Sequence, residues 1–439
     1  MGHGARRGAP WERILIVEDG DAGPSAAVLP VLDSLRVADR RVEWLARGWR
    51  RIEVERLAAE GFDRQTLEYA LLGTPGRSTA GATRNAIFLA TADAPVCSFD
   101  DDLLPRLVEP PGAGREWRRV EGDVSEYWFF TSDAQARRFM AGAHSLDWWA
   151  MLDEALVQGS SGRVAAASFG LCGDLGTTSS LPFLLPRPES FARIVGDERG
   201  YVAARETRLG VRSVAQPVLG RGHGWIPACV GFDGGLQAPF VPVARGQGAI
   251  FGVTSRLTVG ARLARLPHAM LHRCIRPATA TDDAVHMPIG RMLHAILSRL
   301  GRVSGADAAT RMRELGRRLG ELASLSAGTR RDFLEELADA RCFAVRQAMM
   351  LRIESRGRRA PRWAADAAGF LQRLRRGRDA QDRDVPIELR GLGPDRGRKA
   401  FWEHLERFSR VLAVWPDVWE SCRQARRRER ARSKIAAGE

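Results

Sequence analysis

The stretch Gly81–Asp102 decides the expected fold, and it reads GATRNAIFLATADAPVCSFDDD. Small and apolar residues over Ala86–Thr91 predict a helix. The apolar residues of Val96–Phe99, which follow an Asp-Ala-Pro breaker, predict a short buried strand. That strand delivers the acidic triplet Asp100–Asp102 at its carboxyl end. Open α/β sheets bind ligands at the carboxyl ends of their strands, so the triplet is a candidate binding site.

The acidic triplet alone leaves two interpretations open. Adjacent carboxylates repel one another by about 1 kcal/mol or more per pair near a protein surface. They are tolerated in a solvated loop, or where a bound cation supplies the compensating charge. The Gly81-Ala-Thr-Arg84-Asn85 segment upstream favours the cation.

The length and composition of the chain limit the classes of protein to which it can belong. With 439 residues the chain exceeds one ordinary core, so we expect two domains, residues 1–280 and 281–439. No apolar run reaches the roughly 18 residues of a membrane span, and no apolar stretch follows the basic amino terminus, so neither a membrane span nor a secretory signal is expected. The six cysteines are scattered without a C-x-x-C pair. This spacing excludes a zinc ribbon or disulfide scaffold and is consistent with a cytoplasmic protein.

The net charge of +14 comes almost wholly from arginine. Such an excess attracts nucleic acid, anionic lipid or a phosphorylated substrate. Nucleic acid is the least expected of these, because the arginines alternate with glutamates on helix faces and lack interleaved aromatic residues. The basic run Arg423–Arg432 is either a weak contact for an anionic surface or a solvated helix end.

Strands that alternate with helices predict an α/β fold with a mostly parallel sheet flanked by helices. The expected strands are Arg13–Val17, Arg41–Leu45, Arg163–Phe169 and Leu209–Val214, and the expected helices among them are Ser25–Arg36, Trp49–Ala59 and Asp63–Leu72. Beyond residue 280 the apolar residues recur at helical spacing, which predicts a carboxy-terminal all-α domain. Within it, Arg378–Lys399 is expected to form a loop and Ala400–Leu412 the last helix.

The order of the amino-terminal motifs resembles the nucleotide-sugar half of GT-A fold glycosyltransferases, particularly family 2. Those enzymes carry an acidic pair after an early strand, a Gly-x-x-x-Ala-Arg-Asn helix start and then a DXD motif. Here Glu18-Asp19-Gly20, Gly81–Asn85 and Asp100–Asp102 stand in that order. The resemblance covers residues 13 to about 105 well and 163 to 275 loosely. It departs in two ways: only a dozen residues precede Ile14, so the family's opening strand is missing or the start is truncated, and the Trp49–Leu72 helices form an apparent insertion before Gly81.

The resemblance implies that a nucleoside-diphosphate sugar is the donor. Asp19, or its neighbour Glu18, would accept a hydrogen bond from the base. Asp100 would serve the nucleotide, Arg84 would contact the diphosphate and Asn85 would orient a carboxylate. An ordinary polar pair at a helix start is the alternative for Arg84 and Asn85.

The same resemblance implies a metal site for Mg²⁺ or Mn²⁺. Asp102 would hold the ion, while Asp101 would point away or toward the ribose. GT-A enzymes often recruit a late histidine as a further ligand, and His272 fits that order along the chain. His268 and His272 lie four residues apart, so we expect both on one face of a helix. Two partly buried structural histidines are the alternative.

The motif set does not include a clear catalytic base. Inverting members of the family carry an acidic pair at a late helix start, where this chain has Gln247-Gly248. Asp233 is the substitute candidate and Asp174 a second one, although aspartate beside glycine is also ordinary turn chemistry. We therefore expect an inverting glycosyltransferase with an unknown acceptor, or a catalytically degenerate protein that binds nucleotide sugar or a partner.

Overall fold

A computed structural model of the protein describes residues 13–17, 41–74, 79–121, 124–157, 163–175, 181–196, 198–207, 209–220, 228–243, 246–260, 262–273, 286–356, 360–378 and 380–437. The strands are β1 Arg13–Val17, β2 Arg41–Leu45, β3 Val96–Phe99, β4 Leu103–Val108, β5 Arg118–Val120, β6 Glu126–Phe129, β7 Val164–Asp174, β8 Leu209–Ser213, β9 Val218–Gly220, β10 Cys229–Phe232 and β11 Arg262–His272. The helices are α1 Arg47–Ala59, α2 Arg64–Leu72, α3 Ala80–Ala90, α4 Asp133–Ala141, α5 Trp148–Val157, α6 Leu181–Leu184, α7 Pro188–Val195, α8 Glu198–Thr207, α9 Gln247–Thr258, α10 Ile289–Arg299, α11 Ala308–Ala323, α12 Ala327–Arg356, α13 Pro361–Arg378 and α14 Pro394–Ala437. The mixed α/β class and the mostly helical carboxy-terminal region are confirmed.

The chain divides into two compact units. The first comprises residues 1–91, 240–244 and 417–439, and the second comprises residues 92–239 and 245–416. The expected boundary near residue 280 lies in 274–285, outside the described residues, and the compact units divide at other positions.

In the described residues, the first unit contains a small parallel sheet, the helices α1, α2 and α3, and the part of α14 from Asp417 onward. β1 pairs with β2 in parallel, from Arg13 opposite Arg41 to Val17 opposite Leu45. Both strands and the helices α1 and α2 confirm the sequence prediction. Asp63 begins α2, because its carboxylate accepts a hydrogen bond from the Thr66 amide at 2.9 Å.

The second unit contains a nine-stranded sheet, and the prediction that it is mostly parallel is wrong. Among the described strands, six of its eight pairings are antiparallel. The partners are far apart along the chain, as β3 pairs with β10 and β4 pairs with β11, so no short local connection sets their relative direction. The central pair, β7 with β11, is the longest and is parallel.

The segment that carries His268 and His272 is strand β11, so the predicted helix is wrong. Pro267 explains the difference, because a proline inside a helix clashes with the preceding turn and removes a hydrogen bond. In β11 the pairing with β7 shifts between Arg265 and Ala269, around this proline. A strand tolerates a proline at such an irregularity.

The last helix is much longer than the predicted Ala400–Leu412. α14 runs over 44 residues and contains Pro416. Trp415, Val418 and Trp419 flank the proline and are buried, and this packing offsets the roughly 3 kcal/mol that an interior proline costs. Part of the predicted loop Arg378–Lys399 is a 3₁₀ helix, Ile387–Leu392. No helix in the described part of the chain has the length and apolar character to cross a membrane.

Candidate functional site

Asp102 and His272 meet at one end of the nine-stranded sheet. Asp102 directly precedes β4, His272 is the last residue of β11, and Leu103 of β4 lies opposite His272 in the antiparallel register. The Asp102 Oδ2 and His272 Nε2 atoms are 3.1 Å apart. The Asp102 side chain is 35% exposed and the His272 side chain 9%, so the carboxylate is partly accessible to solvent while the ring is almost fully buried.

The end of β7 orients the His272 ring. β7 and β11 run in parallel, and Gly173 lies opposite His272. The next carbonyl, that of Asp174, accepts a hydrogen bond from His272 Nδ1 at 2.5 Å. Gly173 has a φ of +112°, and a Cβ there would lie 2.6 Å from the His272 carbonyl oxygen. Only glycine allows β7 to approach His272 this closely.

The Asp174 carbonyl fixes the imidazole tautomer. A carbonyl oxygen accepts only, so Nδ1 carries the hydrogen. In the neutral ring Nε2 then presents a lone pair toward the Asp102 carboxylate, which also presents lone pairs. A proton, on the ring or on the carboxyl group, or a bound cation must therefore satisfy these facing lone pairs.

The pKa of His272 lies above its ordinary value. Burial lowers it, but the hydrogen bonds to the Asp102 carboxylate and the Asp174 carbonyl raise it by more. The pair thus favours the protonated His272 ring.

The donor set of this pair fits a divalent ion that takes mixed ligands. Within the described residues, no group of three or more His, Cys, Asp or Glu side chains is arranged to hold a metal. Asp102 supplies a hard oxygen and His272 a nitrogen with its second ring atom already anchored, as metal-binding histidines usually have. The carboxylate of Asp102 suits both of the expected ions, Mg²⁺ and Mn²⁺, whereas an imidazole suits later transition metals such as Zn²⁺.

Asp100 and Asp101 form the turn between β3 and β4. The Asp100 amide donates to the Ala228 carbonyl at 2.9 Å, and its carbonyl accepts from the Leu103 amide at 3.3 Å. Asp100 is half-buried and Asp101 is exposed. The turn places all three aspartates at the same end of the sheet, and the contact of Asp102 with His272 singles out that residue.

Within the first unit, Asn85 of the Gly81–Asn85 motif hydrogen-bonds to backbone atoms that are distant along the chain. The Asn85 side-chain NH₂ donates to the carbonyls of Ala70 and Phe240, each at 3.0 Å, and its oxygen accepts from the Phe240 amide at 2.8 Å. The Arg84 guanidinium lies 5.6 Å from the centre of the Phe240 ring. These contacts give Asn85 a structural role in place of the expected one, since its polar atoms are occupied by backbone.

Glu18 and Asp19 lie outside the described residues. Arg84 and Asn85 belong to the first compact unit, whereas Asp102 and His272 belong to the second. The base and diphosphate contacts expected of Glu18, Asp19 and Arg84 stay predictions.

Asp233 is held as a structural carboxylate, which argues against its predicted role as the base. It accepts four hydrogen bonds, from Nε and Nη2 of Arg163 at 2.5 and 2.7 Å, the Gly235 amide at 3.1 Å and Gln237 Nε2 at 2.7 Å. These donors fill the lone pairs that an acceptor hydroxyl would need. The carboxylate closes the turn after β10.

Asp233→Asn is expected to destabilise the fold by about 2 kcal/mol, because it breaks the charge-assisted hydrogen bonds with Arg163. Urea unfolding measures the loss, with Asp153→Asn on the exposed face of α5 as the control. Activity per folded molecule should not change. Unchanged stability with lost activity would restore Asp233 as the base.

His268 does not share the site of His272. Its Nε2 lies 3.2 Å from Glu109 Oε1, and burial holds the pKa of His268 below its ordinary value despite that carboxylate. Sequence reasoning missed Gly173 and the carbonyl of Asp174, which position His272. The signal was the Gly173-Asp174 pair at a strand end, which the sequence interpretation assigned to a turn.

No protein-family model matches this chain, and a search of curated proteins finds no match to it either. The proposed function therefore rests on the geometry of the site and on the order of its motifs.

Proposed function

We propose that the chain is a metal-dependent glycosyltransferase that binds a nucleoside-diphosphate sugar at the Asp102–His272 pair. The observation that carries the proposal is the 3.1 Å approach of Asp102 Oδ2 to His272 Nε2, two residues 170 positions apart. A DXD motif joined to a late histidine is what the resemblance to GT-A fold, family 2-like enzymes implies. The order of Gly81–Asn85 and Asp100–Asp102 supports the same family, although the sheet is mostly antiparallel.

Each residue at the site has a distinct task in this proposal. Asp102 and His272 would hold Mn²⁺ or Mg²⁺, which when bound neutralises the departing diphosphate. The Asp174 carbonyl keeps the His272 ring in the tautomer that leaves Nε2 available.

Asp174 replaces Asp233 as the proposed base because its main chain lies beside the pair. Its carboxylate would take the proton of the acceptor hydroxyl. The acceptor oxygen then bonds to the anomeric carbon, and the bond from that carbon to the diphosphate oxygen breaks, with the electron pair leaving on the diphosphate. Inversion of the anomeric centre is what the family resemblance implies.

The second candidate is a protein that binds the nucleotide sugar or a partner without transferring the sugar. Two observations favour it. The first turn of α9, where the family carries its acidic pair, holds no acidic residue, and Gln247 there is buried. Asp233, the expected substitute, is occupied by Arg163.

Calorimetric titration of the native chain with UDP- and GDP-sugars tests the proposal. We expect saturable binding of one donor class with Mn²⁺ and none after EDTA treatment. Absence of binding under both conditions would overturn the glycosyltransferase and the nucleotide-sugar-binding form of the second candidate. Donor turnover, followed by release of the nucleoside diphosphate, would distinguish the enzyme from the binding protein.

Other expectations stay predictions. They are a cytoplasmic location, a weak anionic-surface contact through the basic tail and little affinity for nucleic acid. In the structure the tail is part of α14, where Arg423 and Arg426 form ion pairs with Glu420 and Glu429.

A further inference from the structure

A cavity of about 200 Å³ lies beside β6 in the second unit. Four aromatic residues are among those that line it: Trp128, Phe129, Phe130 and Phe139. The last of these comes from α4, and Ile194 of α7 also lines the cavity. Such a wall prefers a flat apolar group, which it can contact by its faces and edges.

The charged group at this cavity is already compensated. The Arg193 guanidinium lies 4.3 Å from the centre of the Trp128 ring. It donates to Glu126 Oε2 at 2.7 Å and to the Tyr127 carbonyl at 3.3 Å. Because Glu126 balances its charge, the cavity favours a neutral ring over an anion.

Two exposed polar residues, Thr131 and Gln135, also line the cavity. The Thr131 amide and hydroxyl donate to Gln135 Oε1 at 2.6 and 2.8 Å. These groups can hydrogen-bond a single polar substituent on a ring. An apolar cavity of about 150 Å³ binds benzene, and drug-sized ligands need about 300 Å³ or more. The volume here therefore suits one substituted ring, such as a phenol or an indole.

The cavity lies near the same end of the sheet as His272. Phe129 of its lining lies opposite Gly210 of β8, Gly210 lies opposite Gly173 of β7, and Gly173 lies opposite His272 of β11. Three strand spacings of about 4.8 Å put the Phe129 main chain roughly 14 Å from that of His272.

We propose that this cavity binds a neutral aromatic ring carried by the acceptor. The assignment to the acceptor rests on the proposed function, whereas ring binding itself does not. The cavity thus narrows the acceptor to a class of phenolic or indolic molecules.

Ligand-observed NMR with p-cresol and indole on the native full-length chain tests ring binding. Gln135→Trp fills the cavity from the exposed side of α4, so affinity should fall about tenfold or more. Gln135→Ala loses the same hydrogen bonds to Thr131 but leaves the space, so the change should stay within about threefold. Arg137→Trp adds an exposed tryptophan at another position of α4 and should bind as the native chain does. No saturable binding to the native chain, or native affinity in a folded Gln135→Trp chain, would overturn the proposal.

The acceptor assignment is tested separately from the proposed function. With Mn²⁺, donor and p-cresol, mass spectrometry should detect an aryl glycoside. Donor turnover without that product would overturn the acceptor assignment and leave the proposed function standing. If the native chain binds the ring but no donor, the proposed function is overturned and ring binding stands. The Asp102→Ala variant separates the two sites, because it should remove donor binding and leave ring binding unchanged.

Discussion

Asp102→Asn is expected to lower Mn²⁺ affinity by at least about 100-fold, more than second-shell substitutions typically cost. Asparagine has the same shape, so the turn before β4 persists, but the negative charge that faces His272 Nε2 is lost. Electron paramagnetic resonance of free Mn²⁺ measures the affinity without any assay of activity. Metal-dependent donor binding should disappear with it.

The histidines of β11 provide the matched controls for this result. His272→Ala should weaken Mn²⁺ binding in the same direction, whereas His268→Ala should leave it unchanged, because His268 contacts Glu109. Equal affinity in the native chain and the Asp102→Asn chain would contradict the metal site. Equal losses in both histidine variants would place the effect in the strand and not in the pair.

Gly81→Ala is expected to destabilise the first unit by about 3 kcal/mol or more, at or above the upper end of ordinary overpacking. A Cβ at Gly81 would lie 1.9 Å from the Val241 carbonyl oxygen and 2.9 Å from its carbon. These are backbone atoms, and the Phe240 backbone beside them is held by Asn85 at both its amide and its carbonyl. The clash therefore cannot be relieved by rotating a side chain.

Gly48→Ala is the matched control in α1 of the same unit. A Cβ at Gly48 meets no atom within 4 Å. Alanine there should stabilise the helix by about 0.5–1 kcal/mol, because it restricts the unfolded chain. Urea unfolding of both variants measures the difference. If both substitutions had the same sign, steric contact with Val241 would not be the reason for Gly81.

The local elements could be predicted where a local pattern dominates. β1, β2, α1 and α2 were identified from composition and apolar spacing, and β3 from the run after Pro95. β11 was misassigned because two histidines four residues apart suit one face of a helix as well as one face of a strand. Pro267 carried the information that separated the two. The direction of each strand in the large sheet depends on partners far along the chain, which no local pattern encodes.

The candidate site was likewise predictable only in part. The resemblance placed Asp102 and His272 in one metal site, and the structure brings their side chains together. The resemblance did not predict that Asn85 hydrogen-bonds to the Phe240 backbone, 155 residues away. Nor did it predict that Arg163 forms an ion pair with Asp233, 70 residues away. Whether a polar residue is free for a ligand depends on such distant partners, and a single sequence does not contain that information.

His272 Nδ1 donates its hydrogen bond to the main-chain carbonyl of Asp174 and not to the side chain, and this has an evolutionary consequence. Any residue at position 174 except one that moves the backbone still offers that carbonyl. A single substitution at position 174 can therefore remove the carboxylate during evolution, while the main-chain carbonyl still orients the His272 ring. If the proposed function holds, sugar-transferring and merely sugar-binding descendants of this chain are one substitution apart.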